Sequence, residues 1–324
     1  MLSDLEKIKY LLENSAVVKL NVPAINVYAK LEYNNFSGSI KDRAAFNILR
    51  EAIKDGLVNN DSHIIESSSG NFAIALMSIC QKLGLKFTAV VDPNINKGYE
   101  SLLRLGCNVE MVDEIDATGG YLLTRISKVE DLCRKNPNFF WTNQYDNPNN
   151  YLGYYDSLGK EICDHFEKLD YIFIAVSSGG TITGIAKRLK ENFPNIKVIG
   201  VDIEGSVVFG AKPGKRYVSG LGASKVPSIL DLSLIDDVVH VSHMELIQGC
   251  NMLLNEQSIF AGGSSGAAYF ALKNYEGYST KDKPNVLFIC ADKGYTYLDT
   301  IYNKDWITRL QNIFNEKNKV TANQ

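Results

Sequence analysis

Short apolar, β-branched runs alternate with stretches of helical period along almost the whole 324-residue chain. Residues 17–20 and 25–32 read as strands, and 42–55 as a helix with Ala44, Leu49, Ala52 and Ile53 available for one face and Gly56 just past its end. A strand at 64–66, a helix at 71–83 stopped by Gly84, and a strand at 87–91 follow. Next come a helix at 99–105, a strand at 109–112 and a long helix at 121–134 before Pro137. The second half keeps the rhythm: helix 152–168, strand 171–176, helix 181–192, strand 198–203, then a glycine-rich, charged stretch at 204–223. Strand 237–241, helices 244–254 and 266–274, and strand 286–291 complete it. This alternation predicts an α/β fold of mostly parallel sheets flanked by helices. The polar tail, 315–324, is expected to fray.

The length suits two domains, and no low-complexity linker separates them. Crossing points are expected near residue 37 and at 146–150. A net charge of −3 gives no reason to expect nucleic acid or an anionic membrane as partner. No apolar run is long enough to span a bilayer, and residues 1–7 lack the features of a signal peptide, so a cytoplasmic location is expected. The six cysteines contain no Cys-x-x-Cys pair and are expected to be reduced and mostly buried. His240 and His243 lie close together without further ligands, so no metal is expected.

Three loops change the picture. Lys41 follows Ser37-Gly38-Ser39-Ile40 at a helix start, where a cation is electrostatically unfavourable unless its amine is engaged; taken alone, it reads as a solvated side chain. Ser67-Ser68-Ser69-Gly70-Asn71 is a strand–turn–helix whose free N–H groups suit a carboxylate or phosphate, or simply a serine-rich cap. Ser177-Ser178-Gly179-Gly180-Thr181 repeats that grammar after an apolar strand. It is neither a dinucleotide fingerprint nor a nucleoside triphosphate loop, and suits a small phosphomonoester or a structural turn. Late in the chain, Gly262-Gly263-Ser264-Ser265-Gly266 precedes an alanine-rich helix. An amine, an anion nest and a second nest are the set a pyridoxal phosphate enzyme needs.

In this order, these segments resemble the fold-type II pyridoxal phosphate family of cysteine synthases and cystathionine β-synthases, over nearly the whole chain. Asn143-Gln144-Tyr145 with Asn147 and Asn150, and Gly220-Leu221-Gly222-Ala223 with Val226-Pro227, extend the match. Within the family the chain is similar to the siderophore-precursor synthases that join O-phospho-L-serine to L-glutamate, giving N-(2-amino-2-carboxyethyl)-L-glutamate. That likeness rests on Gly205-Ser206-Val207-Val208-Phe209-Gly210, Gly222-Ala223-Ser224-Lys225-Val226-Pro227 and Asp292-Lys293-Gly294 with Tyr297-Leu298-Asp299. The resemblance implies a larger cofactor domain, 1–36 with 147–324, and a smaller mobile domain, 37–146. It implies that Lys41 forms an imine with the cofactor and moves the proton, and that Asn71 bonds the ring hydroxyl. It further implies that Ser177, Ser178, Gly179, Gly180 and Thr181 hold the phosphate and that Ser264 faces the pyridine nitrogen. Ser68, Ser69 and Gln144 would bind the substrate carboxylate, and a homodimer is expected. Phe72, and Ser177 at the first position of the cup, depart from the usual family pattern.

A neutral hydroxyl opposite the pyridine nitrogen makes a weaker electron sink than a carboxylate would, which favours β-elimination and replacement over transamination. The expected reaction is β-replacement on an activated serine through an α-aminoacrylate, with amino-acid substrates. For a glutamate nucleophile, Lys212, Lys215, Arg216, Tyr151, Tyr154 and Tyr155 are candidate partners. Two alternatives stay open: sulfide, a thiol or water as nucleophile, and a cofactor-less regulatory binding protein.

Overall fold

The structure, a computed structural model, describes residues 1–117, 119–279 and 283–322, with side chains as far as residue 316. Ten strands form two sheets. They are β1 (Val17–Leu20), β2 (Asn26–Leu31), β3 (His63–Ser67), β4 (Lys86–Val91), β5 (Asn108–Met111), β6 (Phe139–Trp141), β7 (Tyr171–Ala175), β8 (Lys197–Ile203), β9 (Asp237–Val241) and β10 (Asn285–Cys290). The larger sheet has the order β1-β2-β10-β7-β8-β9 and the smaller β5-β4-β3-β6. Every pairing is parallel except β1 with β2.

The central strands are mostly apolar because helices cover both of their faces. In β10, Leu287 and Ile289 point into one core while Val286 and Phe288 point into the other. The first core joins the two sheets, packing Ile48, Leu49, Leu76 and Ala89 together with Ile172, Ile174 and Ile185. A third, small core of Ile65, Val90, Val112 and Val129 covers the outer face of the smaller sheet. The helix Asn71–Leu83 ends where Gly84, at φ 69°, takes the left-handed conformation that caps it.

Four expectations need correction. The helix expected at 152–168 begins at Pro148, where Asn147 caps it and proline suits the first turn. It passes through a π turn at Tyr155–Gly159 and stops at His165. The strand β6 has no counterpart in the expected pattern. The last helix was not foreseen either: it runs from Lys304 to Ala322, taking in the backbone of the polar tail that far, with Trp306, Ile307, Leu310 and Phe314 packed on the second core; Asn323 and Gln324 lie outside the described residues. Of the six free cysteines, Cys80, Cys250 and Cys290 are buried, while Cys107, Cys133 and Cys163 are only partly so.

Candidate active site

Lys41 opens the helix Lys41–Lys54. The segment before it is pinned to the end of β10 by a bridge between Ser39 and Asp292 and by Ile40 N–H donating to the Ala291 carbonyl at 2.8 Å. Asp42 accepts from Ser37 N–H at 2.7 Å. One residue further, Arg43 is fully buried and doubly bidentate. Its Nε and Nη2 reach Glu32 at 2.6 and 2.9 Å, and its Nη1 and Nη2 reach Glu161 at 2.7 and 3.1 Å. The start of the helix is therefore fixed on two sides. Burial lowers the Lys41 amine to about 8, against the opposing charge of Asp292. Such an amine is neutral, and so nucleophilic, at mildly alkaline pH.

The turn after β3 carries Ser68 and Ser69 into the helix Asn71–Leu83. The N–H groups of Ser69, Gly70, Asn71 and Phe72 make no backbone hydrogen bond among the described residues. Glu66, at the end of β3, is buried and ties this turn to the next piece. Its carboxylate accepts from Ser67 N–H at 2.6 Å, the Thr142 hydroxyl at 2.6 Å, Gln144 N–H at 3.1 Å and the Trp141 indole at 3.3 Å. Burial pushes the Glu66 carboxyl up while these donors oppose it. Asn143 adopts φ 47° beside them, so Gln144 is delivered next to the serine turn by a backbone that is rare outside glycine. The Ser69 hydroxyl accepts from Arg125 Nη1 at 2.9 Å, and Arg125 also pairs with Asp92 at 3.1 Å.

The second nest follows β7. The Ser177 hydroxyl donates to the Gly222 carbonyl at 3.1 Å, and Gly222 N–H to the Val176 carbonyl at 2.8 Å, so the 220–223 segment braces the loop. Gly179 sits at φ 80°, and a Cβ at Gly180 would stand 2.1 Å from Asn150 Oδ1. Gly179 is therefore required by its left-handed backbone and Gly180 by the buried Asn150 side chain beside it. Tyr154, fully buried beside Thr181, donates to the Ile40 carbonyl at 3.2 Å and so joins this nest to the lysine. Ser264 lies in the first turn of the helix Gly263–Lys273, which is tied to β10 by Gly262 N–H bonding the Asp292 carbonyl at 3.0 Å.

The expected residues thus come together through a chain of contacts: Gly180 with Asn150, Asn150 with Gln144 (2.6 Å), Gln144 with Glu66, Tyr154 with Ile40, and Asn71 with Asp292 (2.7 Å). Several candidates for a second substrate do not join them. Tyr154 is a core residue, Tyr155 stacks at the surface 4.0 Å from Arg188, and Lys212 and Lys215 are exposed. Arg216 is partly buried, with Nη1 on the Gly205 carbonyl and Nη2 on the Ser224 hydroxyl. Arg125 and Glu66 were not singled out by the sequence, because nothing local marks them.

These residues fit pyridoxal phosphate. The nest at 177–181 offers hydroxyls and the N–H groups of Gly180, Thr181 and Ile182, which make no backbone hydrogen bond among the described residues. A basic amine stands at Lys41, and the Ser264 hydroxyl has no hydrogen-bond partner among the described residues.

Comparison with known proteins agrees. The family model described as "Pyridoxal-phosphate dependent enzyme" matches residues 8–292. An N-(2-amino-2-carboxyethyl)-L-glutamate synthase of Ralstonia nicotianae is 43% identical over 286 residues, covering 88% of this chain and 84% of that protein. The crystal structure of an O-acetylserine-dependent cystathionine β-synthase from Helicobacter pylori superposes with a TM-score of 0.84 at 31% identity, covering 91% of this chain and 98% of that one. A hydrogen sulfide-producing enzyme of Fusobacterium nucleatum gives a TM-score of 0.83 at 29% identity, covering 90% and 99%. The chain is therefore a member of the pyridoxal-phosphate-dependent enzyme family, a β-replacement enzyme of the fold-type II, cysteine-synthase-like branch.

Proposed function

We propose that this enzyme replaces the β-substituent of an activated L-serine, O-phospho-L-serine being the favoured donor, with the amino nitrogen of L-glutamate. The product is N-(2-amino-2-carboxyethyl)-L-glutamate. The carrying observation is the 43% identity, over 88% of this chain, to the N-(2-amino-2-carboxyethyl)-L-glutamate synthase named above. Arg125, which reaches the Ser69 hydroxyl at 2.9 Å while paired with Asp92, brings a guanidinium beside the serine turn.

When bound, pyridoxal phosphate supplies the electron sink that makes the serine Cα–H acidic and its β-substituent a leaving group. Lys41 is the attachment residue, and its Nζ takes the proton from Cα and returns it to that carbon. Its amine, lowered to about 8, suits both directions. Ser68, Ser69, Gln144 and the N–H groups opening the helix Asn71–Leu83 hold the serine carboxylate. Asn71 holds the ring hydroxyl, the 177–181 nest the phosphate, and Ser264 the ring nitrogen. Glutamate's nitrogen bonds to Cβ and sheds one proton.

In the same reading, the chain divides into a larger domain, 1–36 with 147–324, and a smaller one, 37–146, which closes when the carboxylate binds. The enzyme is a cytoplasmic homodimer. Among the described residues no helix is long and apolar enough to cross a membrane.

The test offers the purified holoenzyme O-phospho-L-serine with either glutamate or sulfide and weighs the products by mass spectrometry. A glutamate adduct formed faster than cysteine is expected. Rapid cysteine formation without that adduct overturns the proposal in favour of a sulfhydrylase. Borohydride reduction and peptide mapping should place the pyridoxyl label on Lys41; a label elsewhere removes its assigned role.

A further inference from the structure

Asn71 has both ends of its amide occupied, by groups from opposite sides of the cleft. Its Oδ1 accepts from the hydroxyl of Tyr99, which stands on the helix Lys97–Gly106 beside the smaller sheet. Its Nδ2 donates at 2.7 Å to Oδ2 of Asp292, at the end of β10 in the larger sheet. The chemistry of the partners fixes which end is which. A carboxylate only accepts, so the nitrogen must face Asp292, and the phenol then donates to the oxygen. One N–H of Asn71 remains.

Asp292 is built for more than packing. It is 3% exposed. Its Oδ2 also accepts from Tyr297 at 2.9 Å, while Oδ1 is buried with no hydrogen-bond partner among the described residues. That oxygen occupies the space a Cβ at Gly262 would need, 2.0 Å away, so glycine is required beside it. A buried carboxylate with one orphaned oxygen is costly, and such groups persist where they serve a site. A second strut crosses the same gap, with Asn96 Nδ2 donating to the Thr296 carbonyl at 2.8 Å.

We propose that Tyr99 and Asp292 are positioning residues that lock the Asn71 amide from the two sides of the cleft, so that its remaining N–H is held ready for the cofactor's ring hydroxyl. This rests on the assignment of Asn71 to that hydroxyl. The smaller sheet sets the amide's oxygen and the larger sheet sets its nitrogen, so the contact is correctly formed only when both are in place.

The test is a set of cofactor titrations on Asn71→Ala, Tyr99→Phe, Asp292→Ala and Asp292→Asn, and on Tyr99→Phe and Asp292→Ala each combined with Asn71→Ala. Two quantities are read: the pyridoxal phosphate dissociation constant and the absorption maximum of the bound cofactor. Tyr99→Phe is expected to weaken binding by about three- to tenfold, the net worth of one neutral hydrogen bond, and to shift the band. Asp292→Ala should do at least as much. Asp292→Asn should restore binding, because its carbonyl oxygen can accept from Asn71. In the Asn71→Ala background, Tyr99→Phe should add nothing, and Asp292→Ala only what the loss of its charge does to Lys41. If they still add their full effect while Asn71→Ala itself weakens binding, the positioning role is wrong and the assignment of Asn71 stands. If Asn71→Ala changes neither quantity, the assignment fails and takes this proposal with it. Should Asp292→Ala not fold, the Tyr99→Phe cycle decides alone.

Discussion

Arg43→Met is the sharpest test of how the lysine is held. The guanidinium has no solvent exposure and makes four charge-assisted hydrogen bonds, two to Glu32 and two to Glu161. Its loss falls unevenly. Glu161 is 12% exposed and keeps Lys30 at 2.7 Å. Glu32 has no exposure and keeps only neutral donors, the Ser15 hydroxyl and Asn35. Methionine fills much of the volume, so the cost comes mainly from one stranded buried carboxylate, about 3–5 kcal/mol. Urea unfolding of the cofactor-free protein measures it. Combining Arg43→Met with Glu32→Gln should recover a good part of that cost, since no charge is then stranded. The pH dependence supplies a second readout. In the wild type, burial raises the Glu32 carboxyl, but Arg43, Ser15 and Asn35 more than cancel it and leave it below the ordinary 4.5. Its stabilising contribution is therefore present above pH 4.5 and lost as pH falls through the folded value. Without Arg43 only Ser15 and Asn35 oppose burial, the folded value rises above 4.5, and acidification stabilises the variant until the unfolded chain also takes up its proton. Asp42, pushed up to about 6 mainly by burial, contributes to both proteins and largely cancels in the difference. A cost below about 1 kcal/mol, or no reversal of the slope, refutes the reasoning.

Three further outcomes are expected. Lys41 loses its proton at about 8 in the folded chain against an ordinary 10.5, so the cost of burying its charge is present below pH 8 and relieved by pH 10.5. Cofactor-free wild type minus Lys41→Met should gain up to about 3 kcal/mol across that window in urea titrations, and a flat difference contradicts the lowered value. Gly180→Ala would drive a Cβ to 2.1 Å from Asn150 Oδ1; cofactor retention on a desalting column should fall by at least about tenfold, the equivalent of 1.4 kcal/mol. Arg125→Gln should raise KM for the serine donor about tenfold or more, because Arg125 orders the Ser69 hydroxyl assigned to its carboxylate; an unchanged KM removes the pair from that site.

The parallel sheets were legible because central strands buried on both faces read as unbroken apolar runs, as Tyr171–Ala175 and Asn285–Cys290 do. The three-residue strand Phe139–Trp141 was not, being too short to show a period after Pro137. The last helix hid its stripe of Trp306, Ile307, Leu310 and Phe314 among polar neighbours. At the site, Lys41 and the two nests were readable because each is a local motif at a strand or helix end. Arg125 was not, because its meaning comes from Ser69, 56 residues away in sequence. Tyr154 misled for the same reason: composition marks it as a recognition residue, but the fold turns it inward to the Ile40 carbonyl.

The forces joining the two sheets differ around the site. On the lysine side the connections are buried charge pairs, with Arg43 from the helix Lys41–Lys54 meeting Glu161 and Glu32 where side-chain exposure is zero or small. Breaking such a pair is worth about 3–5 kcal/mol. On the carboxylate side the links are hydrogen bonds, Asn71 to Asp292 at 2.7 Å and Asn150 to the Gln144 carbonyl at 2.6 Å, with wetter contacts at the rim. Lys225 meets Asp146 at 2.6 Å with both side chains about a third exposed, and Asn96 meets Thr296 through one part-buried hydrogen bond. Exposed pairs and single neutral bonds are each worth about 1 kcal/mol or less. The strongest of these links, the charge pairs of Arg43, sit two residues from Lys41, and that placement follows from where this sequence buries its charges.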